Sequence, residues 1–467
     1  MSQWCGPVRG SGLGWFLVLA LLTSCSEPPR PQNAIIIVLD TLRADRLGCY
    51  GNERNTSPSL DALAARGVRF DQAFSPAPWT LPATGALLSG LSPERCFAGD
   101  SKLSRSLISE LAAAGWSTAA FTEAAFFSAW FGMDRGFDHF EEAGGMRAVV
   151  EGQTVAGGQE GAGIATTFAA AQRWLQGAAD REQPFVLVVH SYEIHMPYTR
   201  KRWAKKLPAG RFGETLEMSD LRRMQRGDVV PTEEELAYVT ALYDGGVRFA
   251  DNHVAELLAT VDGLGLGDDT VIVVTSDHGE ELGQHHPAFL ADHGHSLKDD
   301  LLNVPLIVAD PTRTWPELEV SWQVRLIDVL PTVMDLLGVK VPDDVGGRSL
   351  VPMMEGSEAR HRPLMAGGTK TGPPRRALRD GTHKLIVHSD GQAPEGVELT
   401  PPVQLYDLVS DPGELTNVQA DHEQLAQNLA QVLADWLRQV GRPNPALRAE
   451  ASDDEITRQL QALGYVR

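Results

Sequence analysis

The sequence predicts an α/β fold in which helices cover both faces of a mostly parallel central sheet, followed by a small C-terminal antiparallel sheet with one helix. Ile35–Leu39 and Thr270–Thr275 are short apolar runs rich in Ile and Val, and an Asp follows soon after each. Such runs are typical of parallel strands buried on both faces. Strand-like and helix-like segments alternate between them, which favours a sheet with helices on both sides.

The spacing of apolar residues predicts the elements of the main domain in chain order. Strands are predicted at Ile35–Leu39, Pro184–His190, Thr270–Thr275 and Val304–Ala309, and helices at Pro58–Arg66, Ser104–Ala114, Thr166–Gln176 and Glu233–Leu264. The glycine-rich stretch Ala143–Gly163 predicts a loop. The charged, poorly periodic stretch Lys201–Pro231 predicts a surface insertion over the functional site, where specificity often lies.

The character of the sequence changes after about Asp343. A strand, a turn and a strand are predicted within Leu378–Val387, another strand at Gln404–Leu408, and an amphipathic helix at Asp421–Leu437. We therefore divide the chain into a main domain at residues 33–342 and a C-terminal subdomain at residues 343–467.

Composition excludes several classes of protein. The chain has 467 residues, of which 43% are hydrophobic, enough for a large core and too many for a disordered chain. The formal net charge is −20, which argues against nucleic-acid binding because a phosphate backbone needs clustered Lys and Arg. The same charge repels anionic ligands at long range, so an anion site here requires local cations or a metal.

Residues 1–24 are predicted to be a signal peptide. Arg9 precedes the apolar stretch Leu13–Leu22, which is too short to span a bilayer. The sequence Leu22-Thr23-Ser24-Cys25 resembles the lipobox of bacterial lipoproteins, which implies that Cys25 is lipidated and that residues 25–32 form a tether. We therefore expect an exported protein, anchored to a bacterial envelope membrane on its periplasmic face or at the cell surface. An ordinary secretory signal is the alternative.

Two cysteines remain beyond the signal and Cys25. An exported protein could pair Cys49 with Cys96, but spacing in the sequence does not show whether they are close. The pairing is left open.

Acidic residues follow the two Ile/Val-rich runs. Asp40 ends the first, and Asp277-His278 follows the second. Ligands in α/β sheets collect at the carboxyl ends of the strands, so these residues are expected at one edge, where they could share a cation. Two carboxylates and an imidazole suit a divalent metal. The alternative is a pair of strand-terminating turns with solvated acids.

Several segments, in this order, resemble the sulfatase family of the alkaline phosphatase superfamily. They include Asp40-Thr41-Leu42-Arg43-Ala44-Asp45, Trp79-Thr80-Leu81-Pro82, Leu88-Ser89-Gly90-Leu91-Ser92-Pro93, Arg135-Gly136-Phe137-Asp138, His195-Met196-Pro197-Tyr198, Thr275-Ser276-Asp277-His278-Gly279-Glu280 and Val304-Pro305-Leu306-Ile307. The resemblance implies one divalent cation (Zn²⁺, Mn²⁺, Mg²⁺ or Ca²⁺) held by Asp40, Asp277 and His278 with the nucleophile Thr80. A second cation is left open.

Thr80 departs from the family pattern. In sulfatases the matching residue is a cysteine or serine that is oxidised to formylglycine, and threonine cannot form that aldehyde. Phosphoesterase branches of the superfamily use threonine directly, and a hydroxyl suffices when a metal lowers its pKa. We therefore expect no formylglycine and favour phosphate-type esters, with sulfate esters left open. The alternative is that Thr80 only caps the helix that begins near Leu81-Pro82.

A second departure lies four residues further on. The family carries a basic residue there, whereas this chain has Thr84, preceded by Ala83 where serine is usual. Lys298, which follows His293 and Ser296-Leu297, is the substitute that the sequence suggests for substrate binding. Without a substitute, the resemblance allows an impaired lipoprotein that binds an anionic glycan or a partner protein.

Two histidines complete the expected site. In the resemblance, His195 faces the substrate's anionic group or leaving group, and a histidine can act there as a general acid. His293 is expected to bind substrate, or to share a second metal with His195 and Glu193. The expected function is metal-dependent hydrolysis of a sulfate or phosphate-type ester, carried by a small molecule, a glycan or a lipid head group. Arg43 and Asp45 are expected to form an ion pair that shapes the turn after Asp40.

Overall fold

The computed structural model describes residues 30–97, 102–123, 125–142, 163–179, 183–212, 216, 218–285, 289–316, 318–371, 375–388 and 403–440. The predicted signal peptide at 1–24, the predicted lipidation site Cys25 and almost all of the predicted loop Ala143–Gly163 lie outside these residues. Among the residues described, no helix combines the length and the apolar character that crossing a bilayer requires.

The strands alternate with helices through the main domain and then follow one another at the C-terminal end. They are β1 (Asn33–Leu39), β2 (Val68–Phe70), β3 (Ala73–Phe74), β4 (Ser117–Thr122), β5 (His139–Glu142), β6 (Phe185–Ser191), β7 (Thr270–Thr275), β8 (Asn303–Val304), β9 (Leu306–Ala309), β10 (Glu319–Val320), β11 (Val324–Arg325), β12 (Leu364–Gly367), β13 (Arg375–Arg379), β14 (His383–His388) and β15 (Val403–Asp407).

The helices are interspersed with these strands along the chain. In order they are α1 (Pro58–Ala64), α2 (Thr80–Ser89), α3 (Pro93–Cys96), α4 (Ile108–Ala113), α5 (Ile164–Ala179), α6 (Met218–Gln225), α7 (Glu233–Gly263), α8 (Asp299–Leu302), α9 (Val329–Leu336), α10 (Val351–Met354) and α11 (Glu423–Val440).

The main sheet has the strand order β10-β2-β9-β7-β1-β6-β4-β5. Strand β1 lies at its centre and pairs in parallel with β6 on one side and β7 on the other. Among the described strands of this sheet, β9 alone runs against the others, since it is antiparallel to both β2 and β7. The predicted mostly parallel α/β fold is confirmed.

Side chains of β1 alternate between two hydrophobic cores. Ala34, Ile36 and Val38 belong to the core that contains α2, α4 and α9, whereas Ile35, Ile37 and Leu39 belong to the core that contains α1, α5 and α7. Successive side chains of a strand point to opposite faces, so a strand covered on both faces must be apolar throughout. This explains the unbroken Ile/Val run.

A capping box fixes the start of α7. The Thr232 hydroxyl accepts the backbone N–H of Glu235, and the Glu235 carboxylate accepts the N–H of Thr232. From the same helix, the Asp251 carboxylate accepts the backbone N–H groups of Ser59 and Leu60 at the start of α1. The long helix therefore also anchors the segment that follows the first strand.

Two predicted elements differ from the structure near their ends. The predicted strand Val304–Ala309 is divided at Pro305, because proline has no N–H to donate to a ladder; β8 joins a small sheet of order β11-β3-β8, and β9 joins the main sheet. The predicted helix Ser104–Ala114 begins only at Ile108.

The predicted surface insertion Lys201–Pro231 is partly wrong. It contains α6, and its apolar residues Phe212, Leu216, Leu221 and Met224 are buried in the core beside α7. Charged residues between them hid this pattern. Its link to the functional site is direct, because Gln225 Nε2 donates to Asp292 Oδ2 (2.7 Å), next to His293.

The four C-terminal strands form an antiparallel sheet of order β12-β13-β14-β15, and α11 packs on it. The predicted small antiparallel sheet with one helix is confirmed. Cys49 and Cys96 are both free thiols, so the pairing left open by the sequence does not form.

A buried ion cluster holds this sheet to the main domain. The Lys384 ammonium, which is fully buried, lies 2.6 Å from Asp299 Oδ1 and 3.0 Å from Glu414 Oε1. Arg379 also pairs with Asp299. Asp299 begins α8, so the cluster connects the small sheet to the segment that carries His293.

We predict that Lys384→Met lowers the free energy of unfolding by about 3 kcal/mol, because it removes the ammonium group that lies between the carboxylates of Asp299 and Glu414. Denaturant unfolding of the variant and wild type measures the difference. Lys340→Met, which removes an exposed lysine paired with Asp343, is the control and is expected to change stability by less than about 0.5 kcal/mol. Equal effects of the two substitutions would contradict the role of the cluster.

Candidate active site

The two predicted acids meet at one edge of the sheet. Strands β1 and β7 are adjacent and parallel, so the residues that follow them emerge side by side. Asp40 and Asp277 are both fully buried there, and the Thr41 N–H donates to Asp277 Oδ1 (3.4 Å). Burial, reinforced by the charge of Asp277, raises the pKa of Asp40 well above its ordinary value. Because both acids are buried, the alternative of two strand-terminating turns with solvated acids is wrong.

The Nε2 atom of His278 carries no hydrogen and faces these acids. Its Nδ1 lies 2.8 Å from the Gly279 carbonyl oxygen, which can only accept, so Nδ1 carries the hydrogen. Its Nε2 lies 3.4 Å from Asp277 Oδ2 and 3.9 Å from Asp40 Oδ1. Burial lowers the pKa of His278, which favours the neutral ring. An unprotonated nitrogen that faces two carboxylates is a typical metal donor.

His190 is a further member of the cluster that sequence reasoning missed. It lies within β6, and its Nε2 is 3.5 Å from Asp40 Oδ2. One potential ligand atom from each of Asp40, His190 and Asp277 lies within 4.8 Å of the others. Burial lowers the pKa of His190 to about 4. The sequence signal that could have identified His190 is a histidine inside an otherwise apolar run predicted to be a buried strand.

The side chains of this cluster fit a divalent cation. Among the described residues, Asp40 Oδ1, Asp277 Oδ2 and both ring nitrogens of His190 make no hydrogen bond although they are buried. Buried polar atoms are rarely left in this state, because each unmade hydrogen bond costs about 1–3 kcal/mol. Carboxylate oxygens and neutral imidazoles together are the donor set of Zn²⁺ and Mn²⁺ sites.

Thr80 points its hydroxyl into this cluster. It is the first residue of α2, and the preceding Trp79 is extended and makes no side-chain cap. Thr80 Oγ1 donates to Asp40 Oδ2 (3.1 Å) and lies 3.3 Å from His278 Nε2. The alternative reading of Thr80 as an N-cap is therefore wrong.

A strained turn follows Asp40. Thr41 has φ of +60°, which a β-branched residue rarely adopts. The Tyr243 hydroxyl from α7 donates to the Thr41 carbonyl (2.6 Å) and accepts the Arg43 N–H (3.0 Å). Arg43 pairs with both carboxylate oxygens of Asp45, as predicted, and also donates to the Glu280 carbonyl (2.9 Å). These bonds hold the two acidic segments together.

His195 and His293 lie next to the cluster. The ring centroid of His293 is 4.4 Å from that of His278 and 5.0 Å from that of His195. His293 Nδ1 lies 2.9 Å from Glu280 Oε1, and the other oxygen of Glu280 accepts the Tyr198 hydroxyl (2.9 Å). The structure brings both predicted histidines to the site, whereas it pairs Glu193 with Arg200 (2.6 Å).

The protonation of His195 bears on its predicted role. Its Nδ1 lies 2.6 Å from the Met196 carbonyl oxygen, so that nitrogen carries the hydrogen. Burial lowers the pKa of His195 to about 4. The neutral ring then has no proton on Nε2, so general-acid catalysis does not follow from the geometry of the free site.

Lys298 is placed differently from the prediction, and a second lysine lies near the site. The Lys298 Nζ donates to the Glu414 carbonyl (2.5 Å) and lies 3.7 Å from the centroid of the Tyr406 ring, so it is directed toward the small sheet. Sequence reasoning missed this second lysine, Lys370. Its Nζ lies 5.9 Å from the ring centroid of Trp79, the residue that precedes Thr80. Thr84 donates to the Thr80 carbonyl (2.6 Å) within α2.

Comparison with known proteins agrees with this geometry. The family model described as Sulfatase matches residues 32–339, and the model of the N-sulphoglucosamine sulphohydrolase C-terminal region matches residues 295–440. Arylsulfatase K of Xenopus laevis is 32% identical over 198 residues, covering 40% of this chain. That match spans about a third (35%) of the length of the relative.

Two further proteins match over most of the chain. The Δ4,5-hexuronate-2-O-sulfatase of Bacteroides thetaiotaomicron is 22% identical over 441 residues, covering 86% of this chain and 88% of that protein. The crystal structure of the phosphonate monoester hydrolase of Agrobacterium radiobacter superposes with a TM-score of 0.67 at 20% identity, covering 89% of this chain and 97% of that one. This structural likeness shows a shared fold.

A buried acid positions the segment between β6 and His195. Glu123, which follows β4, accepts the Ser191 hydroxyl (2.7 Å) and the Tyr192 N–H (3.0 Å). The Tyr192 ring in turn contacts those of His190 and His195, with centroids 4.7 Å and 5.6 Å away. Burial raises the pKa of Glu123 from its ordinary 4.5 to about 7.

We predict that Glu123 makes folding stability depend on pH. The folded chain holds the proton of Glu123 more tightly than the unfolded chain, so this contribution is complete below pH 4.5 and is lost as pH rises through about 7. It amounts to about 3 kcal/mol. Denaturant unfolding at pH 4.5 and pH 8 should show a smaller loss of stability in Glu123→Gln than in wild type.

The control for this prediction is Glu53→Gln, which changes an exposed acid in the segment before α1. Its stability relative to wild type should stay constant between the two pH values. Parallel pH dependences of Glu123→Gln and wild type would refute the prediction.

Proposed function

Because this chain belongs to the sulfatase family, whose model covers residues 32–339, we propose that it is a metal-dependent hydrolase of an anionic ester and that Thr80 is its nucleophile. The observation that carries the proposal is the position of the Thr80 hydroxyl, 3.1 Å from Asp40 Oδ2 and 3.3 Å from His278 Nε2 at the start of α2. No other hydroxyl side chain of α2 among the described residues is bonded to these acids; those of Thr84 and Ser89 donate to backbone carbonyls.

Asp40, Asp277 and His278 would hold the divalent cation, with His190 as a further donor. A cation bound there supplies positive charge, which lowers the pKa of a neighbouring hydroxyl and offsets negative charge on the transferred group. The N-terminus of α2 adds to this effect, because its free backbone N–H groups favour an oxyanion.

The proposed reaction has two displacements. Thr80 Oγ1 forms a bond to the phosphorus or sulfur atom while the bond from that atom to the bridging ester oxygen breaks, and Asp40 Oδ2 is placed to accept the hydroxyl proton. The leaving alkoxide or phenoxide takes a proton from solvent. Water then attacks the same phosphorus or sulfur atom, and the bond from that atom to Thr80 Oγ1 breaks. Asp40 returns its proton to Thr80 Oγ1, the oxyanion leaves with the hydroxyl of the water, and the other proton of that water goes to solvent.

His195 and His293 are proposed to contact the anionic group of the ester. His195 offers a lone pair at Nε2 in its neutral form, and an anion bound beside it would raise its pKa and favour the protonated ring. His293 is oriented by Glu280 and stands between His195 and His278. Both residues are therefore assigned to substrate binding.

Phosphate and phosphonate esters are proposed as the preferred substrates. Thr80 cannot be converted to the formylglycine of sulfatases, and a metal-activated hydroxyl is sufficient for phosphoryl transfer. A protein with the same fold hydrolyses phosphonate monoesters. Sulfate esters of sugars are the second candidate, because relatives over much of the chain are named as sulfatases, one of them acting on a hexuronate.

The N-terminal sequence supports a location for this activity. We propose that Cys25 carries lipid and that the chain is exported and anchored to an envelope membrane, on its periplasmic face or at the cell surface. Radiolabelled fatty acid incorporated into wild type and absent from Cys25→Ser would test the proposal, and label on both chains would refute it.

We predict that Thr80→Ala lowers turnover of aryl phosphate, phosphonate and sulfate esters by about 10³-fold or more, because the attacking oxygen is removed. Thr80→Ser keeps that oxygen and is the matched control, expected to retain measurable turnover. The ester that wild type prefers identifies the substrate class. Wild-type turnover that survives Thr80→Ala would rule out Thr80 as nucleophile, and a folded, metal-loaded wild type that turns over no ester would favour an anion-binding protein.

We predict that wild type binds a divalent cation and that Asp277→Asn does not. Elemental analysis after dialysis against Zn²⁺ or Mn²⁺ measures the metal content, and thermal unfolding with and without chelator measures its effect. Cation at 100 times its dissociation constant should stabilise the fold by about 2.7 kcal/mol. Asp343→Asn, at an exposed acid, is the control and should keep the metal; equal metal content in both variants would contradict the assignment.

A further inference from the structure

Neither position that the sequence suggested for a second positive charge supplies one to the site. Position 84 carries threonine, whose hydroxyl is bonded to the Thr80 carbonyl within α2. Lys298 is directed toward Tyr406 and Glu414. A chain with a net charge of −20 that buries two acids at its site repels an incoming anion unless cations stand at the entrance.

A segment of the C-terminal subdomain lies across the start of α2. It follows β12 and is fixed by three hydrogen bonds to the main domain. The Gly367 N–H donates to the Pro76 carbonyl (3.0 Å), the Trp79 indole donates to the Gly368 carbonyl (2.5 Å), and the Lys370 N–H donates to the Gly294 carbonyl (2.7 Å). We call residues 367–371 the strap.

Close packing places the stem of Lys370 between two residues next to the site. A Cβ atom at Gly294 would lie 2.9 Å from Lys370 Cβ and 3.6 Å from Trp79 Cβ. Gly294 also has φ of +79°, which favours glycine. Gly294 follows His293, and Trp79 precedes Thr80. The stem of Lys370 is therefore held against the sequence neighbours of the proposed nucleophile and of a proposed substrate-binding residue.

The ammonium group of Lys370 faces an aromatic wall of the same site. Its Nζ lies 5.9 Å from the ring centroids of both Trp79 and Phe126, which pack edge to face 5.2 Å apart. Such rings attract a cation electrostatically and limit its hydration. Burial lowers the pKa of Lys370 to about 7, and the charge of Asp292 opposes this shift.

We propose that Lys370 binds a non-bridging oxygen of the ester's sulfate or phosphate group and so replaces the basic residue missing at position 84. The inference rests on the proposed function for its substrate class. The backbone of Lys370 is bonded to Gly294, which follows His293, and its ammonium group faces Trp79, which precedes Thr80. An oxyanion held at Thr80 and His293 would therefore bind close to this ammonium group. A lysine is a compact point charge with three donors, which suits such an oxygen.

The test measures binding of inorganic phosphate and inorganic sulfate to the metal-loaded full chain by calorimetry, beside kcat and KM for aryl esters. Lys370→Met is expected to raise the dissociation constant of the oxyanion by about tenfold or more, the effect of losing one charge-assisted hydrogen bond. Lys370→Arg should restore part of the affinity. Lys340→Met removes the same charge at an exposed position and should leave the affinity unchanged.

The outcomes separate this inference from the proposed function. Oxyanion affinity that is equal in wild type and Lys370→Met would overturn the inference, as would an affinity too weak to measure in wild type. Loss of the metal from both Lys370→Met and Lys370→Arg would also overturn it, because Lys370 would then only support the fold. Affinity that depends on Lys370 in a wild type that hydrolyses no ester would uphold the inference and refute the proposed function.

Discussion

The burial of two carboxylates side by side is the constraint on which this structure depends. Asp40 and Asp277 follow adjacent parallel strands and are screened from solvent. Two like charges about 4 Å apart repel by about 4 kcal/mol even at an effective dielectric constant of 20. The fold accepts this cost only where a proton or a cation balances it, and the unprotonated nitrogen of His278 beside both acids favours the cation.

The surrounding elements hold this unfavourable arrangement in place. Tyr243 from α7 secures the strained Thr41, and Arg43 joins the turn after β1 to the segment after β7. Glu123 holds the segment after β6, which carries Tyr192 and leads to His195. Each contact links segments that are far apart in the chain, so the geometry of the site belongs to the whole sheet.

The sequence predicted those parts of the fold and site that depend on local pattern. Thr270–Thr275 was predicted with its observed bounds because a strand buried on both faces is apolar without interruption. The short strand β2 and the edge strand β10, like the strands β4 and β12, have no comparable run, and their pairing is decided by tertiary contacts. The proline within Val304–Ala309 was a local signal that the prediction did not use.

The site residues likewise divide into those that local pattern predicts and those that tertiary contacts decide. Asp40 directly follows one predicted strand, and Asp277 and His278 follow another after a single residue, so topology alone brought them together. His190 was hidden within a strand, and Lys370 reaches the site from another sheet through a strap that no motif marks. Lys298 was favoured because it is close to His293 in sequence, but its side chain turns to the small sheet, since orientation depends on packing partners that sequence distance does not reveal.

The central position of β1 has a consequence for synthesis of the protein. Strand β1, the first that the structure describes, is fully paired only when β6 and β7, which are made much later, lie on its two edges. Asn33 then accepts a hydrogen bond from Phe185, 152 residues away, and Thr41 donates one to Asp277, 236 residues away. At roughly 5–20 residues per second, a ribosome needs on the order of ten seconds or more to add β7. Throughout that time the Ile/Val run of β1 has at least one unpaired edge, so the nascent chain carries an aggregation-prone segment that chaperones would have to shield.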